Sequence, residues 1–308
     1  MRPQPWKIWT ALGLVYVFWG STYLAIRYAV DGNPPLLVAG VRSLVAAALL
    51  GGYVLVRRGP APFHASRRQW AMTALVGVLL LTAGNGGVTL AEDSDLPSGL
   101  AALIVAGVPL FVVLIRVAVG DRPHPRTLLG VGIGFVGLAL LLLPGSRPSG
   151  VSLGPALLVV GASIVWSVGS VTASRASLPT DALVTTAGQM GAGGAMLVLL
   201  GLVRGENVPS TFHAGAFWAL VYLVLFGSVV AFTAYSWLLR VAPVSQVATY
   251  AYVNPVVAVV LGASIGGESL TTSSVLGGLV TVVAVFVVVS QEGRRAPVTD
   301  PVPEPVAA

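Results

Sequence analysis

Apolar runs of about twenty residues, separated by short gaps that hold most of the charge, repeat along the whole chain. Marking charged and turn-forming positions delimits ten such runs, at about 8–29, 36–57, 70–91, 96–119, 127–144, 152–174, 182–203, 214–238, 243–266 and 271–290. Each is long enough, as a helix, to cross a hydrocarbon core about 30 Å thick. The runs are apolar on all sides, so lipid rather than water is their expected surroundings. The stretch 292–308, rich in proline and polar residues, is expected to form a disordered cytoplasmic tail.

Composition agrees. Of 308 residues, 56% are hydrophobic and 9% charged, too few charges to clothe a water-soluble globule. The net charge of +6 sits in the gaps, where it carries orientation and makes no phosphate-binding face, so a nucleic-acid partner is not expected. Thirteen Lys/Arg fall on the side shared by both chain ends, and only Arg147 and Arg204 lie in loops of the other side. Both termini are therefore expected in the cytoplasm of a multi-pass protein of the plasma (inner) membrane. The first run, Ile8–Ile26, is too long for a signal-peptide core and is expected to stay as a helix. The absence of cysteine excludes disulfides and thiolate chemistry, and His64, His124 and His213 all lie outside the runs. Neither a cofactor nor a metal site is expected.

A long internal repeat underlies the pattern. Pro97 and Pro243 are 146 residues apart, as are Pro109 and Pro255. Trp19 and Trp166 are 147 apart, as are Gly120-Asp121 and Gly267-Glu268. Two five-helix units follow, 6–146 and 150–291. Five is odd, so the second must enter the membrane the opposite way up, the inverted arrangement of alternating-access transporters. The fold class expected is thus an all-α integral membrane protein, ten helices in an inverted 5+5 repeat.

The segments WGSTYLAIR, PPLLVAGVR, PSGLAALIVAGVPLF with GDR after it, and AYVNPVVAVVLG with GGESL after it, closely resemble the EamA-type permeases of the drug/metabolite transporter superfamily. The resemblance spans Trp6 to about Ser290. It implies ten helices, the inverted repeat, and export of a metabolite or drug-like compound through a central cavity. The first half departs from the family's Gly-Glu by carrying Gly120-Asp121 with one residue fewer.

Within the runs, Gln246, Tyr250 and Asn254 share one face of helix nine. An intramembrane amide faces a cavity or glues helices at about 0.6 kcal/mol per bond. Asn85 of helix three and Gln189 of helix seven pose the same choice. Trp19 and Trp166, near mid-span, would line a path for an amphipathic solute or pack helices. Arg42 lies about a turn and a half inside helix two, where an arginine costs about 2.5–3.5 kcal/mol and needs a partner or water; the resemblance places an arginine commonly there. Arg27, four residues before Asp31, is expected to snorkel or pair with it. Glu268 is expected to sit at the start of helix ten. Pro109 and Pro255 each free a carbonyl near mid-helix and are candidate hinges. The small-residue faces Gly130/Gly134 and Gly188/Gly191/Ala192/Ala195 suit close packing, and a homodimer seam stays open.

The expected substrate-binding set is therefore Trp19, Arg42, Asn85, Trp166, Gln189, Tyr250 and Asn254. The function expected is export of a small organic solute, with uptake or exchange of an organic anion as the alternative. An intramembrane enzyme would need a paired acid and base or an activated nucleophile within the spans, and the spans offer none.

Overall fold

Proline opens several helices where its missing N–H costs nothing: Pro5, Pro35 and Pro125 stand at first helical positions, and Pro97 at an N-cap. The computed structural model describes residues 4–143, 152–207 and 212–293. Arg2, Arg147, Arg294 and Arg295, and the expected tail past residue 293, lie outside the described residues.

The helices are α1 (Pro5–Val30), α2 (Pro35–Arg58), α3 (Arg67–Asp93), α4 (Ser98–Ala118), α5 (Pro125–Leu142), α6 (Leu153–Arg175), α7 (Ala182–Val203), α8 (Ala214–Val241), α9 (Val244–Val247 and Tyr250–Ser264) and α10 (Thr272–Gly293). Among the described residues, nine are long and apolar enough to cross a membrane, and Tyr250–Ser264 is a shorter apolar helix. Large apolar side chains such as Leu129, Val136, Leu199 and Phe286 point outward, as a lipid-facing surface requires. The chain is an all-helical membrane protein.

Local signals set the helix ends. Ser66 and Gln69 form a reciprocal capping box at the start of α3, and Asp181 Oδ1 accepts the first amides of α7. Arg57, Arg58, Arg116, Arg175 and Arg240 lie in last turns, where they complement the helix dipole.

Packing runs between the halves of the chain. The tightest pairs are α2 with α7 and α5 with α10. Glycine permits both. A Cβ on Gly40 would stand 3.0 Å from the Gly194 carbonyl, and one on Gly137 would stand 2.7 Å from the Thr281 nitrogen. The small-residue faces of α5 and α7 are thus filled from within the chain: Gly134 meets Leu110, and Gly188 meets Trp70 and Thr73. Further pairs are α1 with α9, matched by α6 with α4, and α1 with α8, matched by α6 with α3. Exchanging each helix with the one five places on maps this set onto itself.

Two glutamates stitch the halves together at the end of the bundle where α1 finishes, here called the distal end. Glu206, after α7, accepts from the Leu36 and Leu37 amides at 3.3 and 2.9 Å, at the start of α2. Glu268, after α9, accepts from the Ser98 and Gly99 amides at 3.0 and 3.1 Å and from Ser98 Oγ at 2.8 Å. Glu268 therefore caps α4, in the other half, and not α10 as its place in the chain suggests; Thr271 Oγ1 takes the Ser274 amide there. Arg27 likewise pairs with Glu268, at 2.6 Å, and not with Asp31. A carboxylate takes the orphan amides that tertiary packing brings to it, and these lie on the facing helix.

Candidate functional site: a central cavity with an aromatic floor

The third helix of each half carries a π-helical stretch, Val78–Asn85 in α3 and Leu223–Phe232 in α8. Such turns are wider than α and gather at functional sites. Nearby, α4 is interrupted at Ala106–Gly107 and α9 at Ala248–Thr249. These irregular segments surround one cavity, since loosened backbone at membrane depth must be buried in protein or wetted.

The cavity has a volume of about 70 Å³. It is therefore a narrow slot that holds a few waters. It runs from mid-bundle toward the distal end. Trp19, Arg42, Asn85, Trp166 and Tyr250, five of the expected residues, line it together. The other two do not. Gln189 Oε1 accepts from Ser236 Oγ at 3.2 Å, tying α7 to α8. Asn254, with its nitrogen set to donate, bonds to the Tyr16 and Tyr250 carbonyls at 3.1 and 3.2 Å, tying α1 to α9.

Aromatic rings close the proximal side. Trp19 meets Trp166 and Tyr250 edge-on at 5.4 and 5.2 Å, and lies 4.7 Å from Tyr235. Three polar edges here have partners. Trp19 Nε1 donates to the Gly227 carbonyl at 3.1 Å, within the α8 π-stretch, and Trp166 Nε1 donates to the Tyr235 hydroxyl at 3.2 Å. Ser170 Oγ adds a 2.6 Å bond to the same hydroxyl. The two tryptophans that are 147 apart in sequence therefore touch.

Arg42 is 6% exposed and makes one hydrogen bond among the described residues, from Nε to Ser228 Oγ at 2.8 Å. Arg42 lines the cavity. Gly227 makes room for it: a Cβ there would stand 2.8 Å from Arg42 Nη2 and 2.8 Å from Thr22 Cγ2. A buried guanidinium with donors to spare, in a cavity walled mostly by rings and aliphatic chains with Thr22, Ser43, Asn85, Ser163 and Ser228 among them, is chemically suited to an anionic group. Among the described residues no cluster of His, Cys, Asp or Glu could hold a metal.

Sequence patterns had not singled out Tyr235, Ser228 or Gly227. A tyrosine, a serine and a glycine inside a long apolar helix carry no periodic or charge signal, and only the apposition of α8 with α1, α2 and α6 gives them partners.

The model of the EamA-like transporter family matches this chain twice, over residues 6–143 and 153–290. The chain belongs to the EamA-like transporter family. The uncharacterized inner membrane transporter YedA of Escherichia coli is 41% identical over 278 residues, covering 90% of this chain and 89% of that protein. An uncharacterized transporter of Archaeoglobus fulgidus is 27% identical, over 91% and 96% of the two chains. A solved crystal structure that is 20% identical shares the fold, with a TM-score of 0.67 over 93% of this chain and 98% of the other. This EamA-like protein is thus a multi-pass transporter of the plasma membrane.

Proposed function

We propose that this EamA-like transporter exports a small organic solute by alternating access, with an anionic group of the solute on Arg42 and its apolar part against Trp19, Trp166 and Tyr250. The observation that carries this is the buried Arg42, which lines an aromatic-floored cavity and makes one hydrogen bond among the described residues. Asn85, half-buried on the same wall, offers an amide to a second polar group.

Three observations support an inverted pair of five-helix units. The principal helix pairs map onto one another on exchanging the halves, the π-stretches fall in α3 and α8, and the family model matches twice. The thirteen-to-two division of basic residues supports cytoplasmic termini, which would make the distal end external. Pro109 and Pro255, buried near the two helix interruptions, are offered as the places where the walls flex.

Transport by right-side-out and inside-out vesicles tests both solute and direction. Arg42→Gln is expected to reduce movement of anionic and zwitterionic solutes by tenfold or more while sparing neutral ones, about the loss of one charge-assisted bond. Equal loss for all solutes together with a lower protein level would make Arg42 structural. Faster entry into right-side-out vesicles would favour uptake or exchange of an organic anion, the alternative that the same arginine also suits.

A further inference from the structure

Glu92, in the last turn of α3, is 4% exposed, and neither carboxyl oxygen has a hydrogen-bond partner among the described residues. Its neighbour Glu268 is the opposite case, with four donors on its two oxygens: the Ser98 amide and hydroxyl, the Gly99 amide and Arg27 Nη1. The charged and titratable groups around Glu92 are Tyr23, Arg27 and Tyr28 of α1, Asp31 just after it, Arg42 of α2, Glu268 after α9, and Asp93 and Asp95 of its own turn. Arg27 is committed to Glu268, and Arg42 reaches Ser228 instead. An ionised carboxylate without donors, beside a second carboxylate, is far costlier to bury than the neutral acid.

Position adds a second observation. Val88, one turn earlier in α3, lines the central cavity, as do Tyr23 and Ile26 of α1. Glu92 instead lines the distal pocket, with Asp31, Asp95 and Glu268. It therefore stands in the wall between the solute cavity and the distal opening.

We infer that Glu92 is a proton-binding site that latches the distal gate: the neutral acid seals the wall, and opening the wall to water lets the carboxylate form and release its proton. No covalent chemistry is involved; one proton moves between the carboxyl and solvent. What the latch gates rests on the export reading above, whereas proton binding is tested without any solute.

Infrared difference spectra of the protein in lipid, between mildly acidic and mildly alkaline pH, should show a neutral-carboxyl band that Glu92→Gln removes and Glu92→Asp shifts. A band untouched by Glu92→Gln overturns the proton site. Val88→Cys, in this cysteine-free chain, then reports the gate through an impermeant maleimide added at the distal side. Measured relative to an exposed Ser94→Cys, which carries the thiol's own titration, labelling should quicken as pH rises, by at most about tenfold per pH unit for one proton. With Glu92→Gln it should stay slow and lose its pH dependence. Labelling that keeps the same pH dependence in Glu92→Gln overturns the latch. If spectra and labelling behave as expected while vesicles move no solute, the proton site stands and the export reading falls.

Discussion

Gly227 and Arg42 show how one residue's absence of a side chain governs another's charge. The guanidinium passes where a Cβ would stand 2.8 Å from Nη2, and the Gly227 carbonyl holds the Trp19 indole. Gly227→Ala is expected to displace Arg42 and to cost about 1–3 kcal/mol of overpacking. Its transport defect should follow Arg42→Gln, strong for anionic solutes and weak for neutral ones, with protein still in the membrane. Asn254→Ala is the contrast. The amide bonds the Tyr16 and Tyr250 carbonyls outside the cavity, so the expected result is an unchanged solute preference. Thermal stability should fall by about 0.6 kcal/mol, the average for a bond between membrane helices. A changed preference in Asn254→Ala, at unchanged expression, would return that residue to the site.

At the scale of elements the two prolines differ, although their spacing makes them look equivalent. Pro109 stands just after the Ala106–Gly107 interruption, in the first turn of the second segment of α4, where a missing N–H is harmless. Pro255 stands inside the unbroken segment Tyr250–Ser264, six residues past the interruption in α9. Pro109→Ala would supply the amide that lets α4 run through its break. Amide hydrogen exchange should then slow at Ala106–Leu110, and transport should slow with it. Pro255→Ala adds one bond to a helix already continuous, so exchange at Ala248–Thr249 should not change. If the two variants behave alike in both assays, the break in α4 is set by its neighbours and not by Pro109.

For the whole molecule, the arrangement of charge predicts which end faces which compartment. Ser94 lies exposed at the distal end, in the turn after α3. A cysteine there should react in intact cells with a maleimide that cannot cross the membrane, and need no permeant reagent. Reaction only in inside-out vesicles would invert the orientation, and with it the direction of the proton latch.

The spans, their number and the internal repeat were legible because each rests on short-range facts: twenty apolar residues cross a bilayer, and charge collects where they end. Arg42, Trp19 and Trp166 were legible as well, since a deep charge and a repeated aromatic stand out against an apolar background. The chain order alone could not say that Glu268 would cap α4, that Asn254 would fasten α1 to α9, or that Tyr235 would brace Trp19 and Trp166 beneath the cavity. Each of those depends on which helix lies opposite, and partners between 47 and 241 residues apart are decided by the packing of whole helices. The π-stretches are of the same kind, because Val78–Asn85 and Leu223–Phe232 have ordinary apolar compositions. Glu92 is the clearest instance. In sequence it ends a span beside Asp93, and only the closing of α1 and the loop after α9 over it takes away its water.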